Sequence, residues 1–250
     1  LLLDQTGVIM AWHLPGVLSK EFQVGFQCLV SISIILLTPG RGTVSWRTQE
    51  DLFTKSHIRG AIEFSPAWYQ QGHMSEVSAI LKGSHADPGP QQWLQAGALQ
   101  TTILSATLVV MHPNLYALGR ETFLKLANST LDKGIQQIIP EWSTVYLVVL
   151  VIVNRATPFH RDLSFQVQWL DMLATMGGDL NLHIELDNLG VRLAYSLGTV
   201  VNLSGKVLQH GVPALVSDCF CLAYHMRDNV QEGVGVHRCD WVKQGELPIL

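Results

Sequence analysis

The pattern of apolar and polar positions changes character at Pro140. Before it, apolar residues recur at helical spacing from Trp93 to Met111 and again from Leu115 to Leu131, where Glu121 and Lys125 stand one turn apart. The first residues read differently. Residues 1–10 predict a strand turned at Gln5-Thr6-Gly7, Trp12 to Gly16 punctuates it, and Ser19 ahead of Phe22-Gln23 predicts a capped helix start. Thr38 to Gly42 and Gly83 to Pro90 read as loops, with a mixed polar stretch between them. After Pro140 the apolar segments are short: 145–153, 167–176, 182–186, 191–195, 199–203, 207–210 and 219–226. Turn signals such as Gly177-Gly178-Asp179, Asp187-Asn188 and Ser204-Gly205 separate them. Short strands at close spacing predict a sandwich or jelly roll. The expected class is α+β, with one domain over 1–250. A helix-rich half (1–140) supports a β half (141–250).

Composition agrees with a packed core. Apolar residues make up 48% and charged residues 14% of the 250 residues, which argues against disorder. A net charge of −4 excludes a broad basic face but leaves room for a local basic groove. The longest apolar runs, 28–37 and 145–153, are too short to span a bilayer and read as buried strands. No membrane association is expected. The chain opens on Leu1, so a fragment or excised domain is expected, and no signal peptide is visible. Cys28, Cys219, Cys221 and Cys239 are few and irregularly spaced, which predicts a reduced intracellular protein.

The candidate chemistry lies in Asn154-Arg155-Ala156-Thr157-Pro158-Phe159-His160-Arg161-Asp162. On an extended strand, His160 and Asp162 would project to one face. A second histidine, His210, ends another apolar segment fifty residues on. Two histidines and one carboxylate form the facial triad of non-haem Fe(II) oxygenases, which leaves metal positions open. With ten histidines in the chain, an H-x-D pair alone is weak, and a strand pair with Asp162 capping a turn is the plainer reading. His210 could equally be a buried histidine satisfied by backbone. Arg155 and Arg227 read first as structural, paired with carboxylates such as Asp228. The spacings of Cys219, Cys221, His225, His237 and Cys239 lack the C-x₂-C of a zinc knuckle. There is no Gly-rich phosphate loop and no Ser-His-Asp order.

Longer phrases carry a resemblance. They are the block 154–162, then Leu189-Gly190-Val191-Arg192-Leu193-Ala194-Tyr195, Gly198-Thr199-Val200-Val201, Ser204 to Val212, and Ala223-Tyr224-His225-Met226-Arg227-Asp228-Asn229-Val230. In the first half, Ala11 to Gly16, Ser65 to His73 and Met111 to Tyr116 add to it. Through these the chain resembles the TET/JBP-like 2-oxoglutarate/Fe(II) dioxygenases, in the form expanded in mushroom-type fungi. The resemblance implies a double-stranded β-helix core, Fe(II) held by His160, Asp162 and His210, and 2-oxoglutarate and O₂ as co-substrates. It implies hydroxylation of a methylated base, chiefly 5-methylcytosine in DNA, extruded from the duplex and stacked on an aromatic group. Trp68, Tyr69, Trp169 and Tyr195 are the candidate stackers. A DNA substrate would place the protein in the nucleus, although no basic targeting run is present.

The chain departs from the family at one point. An Arg that binds the distal carboxylate of 2-oxoglutarate is expected near position 219, where the sequence reads Ser217-Asp218-Cys219-Phe220-Cys221. Arg227 shares a strand face with Cys219 but lies roughly 26 Å farther along an extended strand. Arg227 and Arg155 are the candidate co-substrate contacts. Two further readings stay open: a catalytically impaired jelly-roll binding module, and a cupin-like metal protein that works without 2-oxoglutarate.

Overall fold

In a computed structural model, the protein is described over residues 1–25, 37, 45–69, 75–82, 89–129, 132–213, 215 and 217–247. The proposed strand at 28–37, apart from Leu37, and the loop at 38–42 lie outside these residues, as do 83–88. Two antiparallel sheets face each other. Strands β1 (Leu2–Leu3), β2 (Ile9–Leu14), β3 (Gly60–Phe64), β4 (Val148–Val153), β6 (Asp171–Gly177), β9 (Val200–Leu203) and β11 (Cys219–His225) form a seven-stranded sheet in the order β1-β2-β9-β6-β11-β4-β3. Strands β5 (Thr157–His160), β7 (His183–Leu186), β8 (Val191–Ala194) and β10 (His210–Val212) form a smaller sheet in the order β5-β10-β7-β8. This is the jelly roll the short-strand pattern predicts, with helices packed on its outer side.

The large sheet is buried on both faces, and the two-residue period of a strand shows how. Along β11, Phe220, Leu222 and Tyr224 join the core shared with the helices, while Cys219 and Cys221 join the core between the sheets. Helices α2 (Gly89–Met111) and α3 (Pro113–Ser129) follow α1 (Ala79–Lys82) and close the outer face. Trp93 of α2 stacks on Phe64 of β3 at 4.5 Å, and Leu104, Leu108 and Leu115 are fully buried beneath. Length and apolar composition alone would let α2 cross a membrane. Its Trp93–Leu104–Leu108 stripe instead packs on the sheet, while Leu99, Ile103 and Val109 stay exposed. Between α2 and α3, His112 accepts from the N–H of Leu115 at Nδ1, capping α3 ahead of Pro113 at its first turn. Helices α4 (Lys133–Ile138) and α5 (Asp228–Gly233) are short. The Glu121–Lys125 pair forms, at 2.9 Å.

The structure corrects the element reading in three places. The first half is not only helical support, because β1 and β2, which begin in the strand expected over 1–10, and the unexpected β3 all extend the large sheet. β5 is a strand the sequence pattern did not separate, being short and holding Pro158. Asp162 lies beyond the end of β5, so it does not share a strand face with His160.

Candidate metal centre

β5 and β10 pair antiparallel, and His160 and His210 are direct cross-strand partners. Their rings meet at 4.3 Å between centroids. Each ring is oriented by its own strand. Nδ1 of His160 lies 3.0 Å from the carbonyl of Pro158, and Nδ1 of His210 lies 2.9 Å from that of Leu208. A carbonyl only accepts, so both Nδ1 atoms carry the proton and both Nε2 lone pairs are free to ligate. Asp162 arrives from the turn after β5, which its N–H anchors to the carbonyl of Gly205 at 2.9 Å. Its oxygens lie 3.8 Å from His160 Nε2 and 3.7 Å from His210 Nε2. Among the described residues these three form the one cluster whose ligand atoms all fall within 4.8 Å of one another.

The electrostatics suit a cation. Burial, and then the neighbouring His210, bring His160 down to about 4, so its ring is neutral and ready to ligate at neutral pH. Asp171, buried on β6, is pushed well above the usual carboxylate range by burial and by the charge of Asp162. Both causes favour its neutral form. Gly205 separates them: a Cβ there would lie 2.5 Å from Asp171 Oδ2 and 2.9 Å from Asp162 Oδ2. Arg47 donates to Asp162 Oδ1 at 3.1 Å from the solvent side. Two imidazoles and one carboxylate are the donor set of a facial Fe(II) site.

The triad opens into a cavity of about 750 Å³ that reaches down between the sheets. This lies in the range of sites that hold small molecules. Its buried lining, the inner lobe, includes Ile184, Tyr195, Leu203, Cys219 and Cys221, and its less buried lining, the mouth, includes Trp46, Arg47, Trp68, Phe165 and Arg227. Trp46 packs on His160 at 4.6 Å, with the guanidinium groups of Arg47 and Arg155 at 4.5 and 5.1 Å from its ring. Phe165 stacks on His225 at 4.9 Å. Of the four candidate stackers, Trp68 and Tyr195 reach the cavity wall. Trp169 is buried in the core, and Tyr69 packs by Gly233.

The two arginines differ. Arg227 is ion-paired with Glu63 and lies over the face of Trp68 at 4.0 Å, so its charge is matched. Arg155 follows β4, is 5% exposed and lines the cavity. It has no carboxylate partner among the described residues; its Nη1 donates to the Arg47 carbonyl at 3.0 Å and its Nε is unpartnered. Cys219 and Cys221 are free, buried thiols, which burial pushes up to about 12 and about 11. They do not gather with His237 and Cys239 into a metal cluster among the described residues. Trp46, Arg47, Glu63 and Phe165 were not legible as site residues. They sit in irregular stretches or on an edge strand with no motif around them.

Facing sheets, a histidine pair across β5 and β10, and an aspartate from the adjoining turn define a metal-dependent oxygenase of the jelly-roll type. Residues 65–228 match Tet_JBP, the oxygenase domain of the 2OGFeDO superfamily, and the chain belongs to that family of 2-oxoglutarate/Fe(II) dioxygenases. Among solved structures, NgTET1 in complex with 5mC DNA is similar at 16% identity and a TM-score of 0.51, over 91% of this chain and 76% of that one. A prolyl hydroxylase from Trichoplax adhaerens is similar at 9% identity and a TM-score of 0.40, over 91% and 87%. A full-length Neurospora crassa protein in complex with alpha-KG follows at 12% and 0.38, over 94% and 84%. No curated protein matches the chain.

Proposed function

We propose that this chain is an Fe(II)/2-oxoglutarate-dependent dioxygenase that hydroxylates a methylated nucleic-acid base, 5-methylcytosine in DNA before others. The observation that carries the proposal is the gathering of His160, Asp162 and His210 on the wall of one cavity whose lining is part buried and part aromatic and cationic. The lobe suits a small acid bound at the metal. The mouth suits a flipped base in its composition, with the aromatic rings of Trp46, Trp68 and Phe165 on the cavity wall and Arg47 an exposed charge for phosphate. The similar fold of NgTET1, a structure with 5mC DNA, supports the same substrate class.

In this reading Nε2 of His160, Nε2 of His210 and a carboxylate oxygen of Asp162 hold Fe(II). Arg47 holds Asp162 by Oδ1, which leaves Oδ2 facing His210. Bound Fe(II) and 2-oxoglutarate supply the oxidation, in which O₂ gives one oxygen atom to succinate, with loss of CO₂, and the other to the methyl C–H bond. The sheets and aromatic rim exclude water from the lobe and orient the base. The second reading, a binding module with impaired catalysis, draws on Cys219, which offers no cation to the co-substrate.

The test is anaerobic addition of Fe(II) and 2-oxoglutarate to the purified chain. A visible metal-to-ligand charge-transfer band, lost in His160→Ala, is expected. Succinate formation with methylated DNA in air should follow. Iron binding without a band would favour the binding module. Turnover independent of added 2-oxoglutarate would mark a cupin-like enzyme, and absence of iron binding would overturn the proposal.

A further inference from the structure

A 2-oxo diacid that meets the metal through its keto acid end carries a second carboxylate into the inner lobe. That lobe is walled by apolar side chains and two neutral thiols, and a carboxylate there requires a cation or strong donors. Cys219 cannot supply the charge. Arg227 has already given its charge to Glu63, near the far end of β11.

Arg155 is the group left over. Buried arginines are normally paired, because an isolated charge away from water is costly. Arg155 is buried, lines this cavity and keeps an unpartnered Nε. Its position follows from Asn154. Asn154 adopts a left-handed conformation at φ 57° and binds Cys219 twice, its N–H donating to the Cys219 carbonyl at 2.9 Å and its Oδ1 accepting from the Cys219 N–H at 2.7 Å. Arg155 therefore leaves the sheet beside the first residues of β11. Cys221, which lines the same cavity as Arg155, has its Sγ 3.1 Å from the hydroxyl of Tyr195. A guanidinium and a phenol O–H thus line the same cavity to which Cys219 presents only a thiol. The Trp46 ring touches both groups, 5.1 Å from the Arg155 guanidinium and 4.6 Å from the ring of His160.

We propose that Arg155, with the Tyr195 hydroxyl, binds the distal carboxylate of the 2-oxo diacid, moving this contact from the first position of β11 to the second residue after β4. The inference rests on the dioxygenase reading above. It turns the departure at Cys219 from a lost contact into a relocated one.

The experiment compares 2-oxoglutarate with 2-oxobutyrate, which has the same keto acid end and no second carboxylate. Each is titrated anaerobically into the Fe(II)-loaded chain, and the charge-transfer band is read. The wild type should bind the diacid about tenfold to a hundredfold more tightly, as expected for a charge-assisted contact. Arg155→Gln should bring the diacid down to the level of 2-oxobutyrate while Fe(II) affinity and 2-oxobutyrate affinity hold. Arg155→Lys should keep part of the preference, and Tyr195→Phe should lower it a fewfold. Cys219→Arg added to Arg155→Gln should restore it. Equal affinity for the two acids in the wild type would overturn the proposal without any variant. So would an Arg155→Gln chain that keeps the preference, or an Arg227→Gln chain that loses it. No band with either acid would overturn the dioxygenase reading itself, and the proposal with it.

Discussion

Asn154 and Cys219 hold each other by two hydrogen bonds, one in each direction, at the place where β4 ends and β11 begins. The side chain of Asn154 also donates to the carbonyl of Ile58 and to Asp218 Oδ1, both at 2.7 Å. One residue thus joins β3, β4 and β11 at their shared end and sets the direction of Arg155. Its left-handed backbone is one that asparagine tolerates better than most residues. Asn154→Ala should cost about 2–4 kcal/mol, because it strands buried polar groups and adds backbone strain. Asn154→Gly should recover about 1 kcal/mol of that, since only the strain is relieved. Urea unfolding of the three chains measures both, and equal midpoints for Ala and Gly would argue against strain.

Gly205 sets the spacing of Asp162 from Asp171. A methyl group there meets Asp171 Oδ2 at 2.5 Å and Asp162 Oδ2 at 2.9 Å, so one carboxyl must move. Gly205→Ala should lower divalent-metal affinity about tenfold to a hundredfold, as perturbation of a ligand's support usually does. Calorimetric titration with Mn(II) or Fe(II) reads the change. Unaltered affinity would show that Asp162 is not positioned from this side.

Acid stability should depend on His112, between α2 and α3. Burial brings its ring down to about 4 from an ordinary 6.5, and its neutral form donates from Nε2 to the carbonyl of Gln168 at 3.0 Å while Nδ1 accepts from Leu115. The unfolded chain therefore binds the proton first as pH falls. Stability is full above about 6.5 and declines toward 4. His112→Asn, which keeps a side-chain acceptor for the cap, should lower stability at pH 7 yet flatten its decline between pH 6.5 and 4. Chemical unfolding at several pH values tests this; an unchanged slope would assign the acid loss to other groups.

Glu63 on β3 neutralises Arg227 at the mouth. Their side chains are 32% and 18% exposed, so the pair is partly screened. Glu63→Ala should destabilise the chain by about 1–3 kcal/mol by leaving the Arg227 charge without its partner. In the Arg227→Met background the same change should cost clearly less. A double-mutant cycle that closes additively would show the pair to be incidental.

Local pattern revealed a large part of this protein. The run at 219–226 became β11, the helical spacing of 93–111 became α2, and the H-x-D block with a later His became one cluster. Each depends on a period or a spacing that neighbouring residues carry themselves. What the local pattern missed depends on distant partners. β1, β2 and β3 join the sheet because β9 and β4 offer edges to them. His160 meets His210 by strand pairing, while Asp162 reaches them from a turn and not from a strand face. Trp46 and Arg47 come to the mouth from a stretch with no regular period. Arg155 is an ordinary arginine in the sequence, and only the folded chain leaves it buried without a carboxylate. Periodicity determines which face of an element is apolar; which charges find partners is decided across the whole chain, when the sheets close.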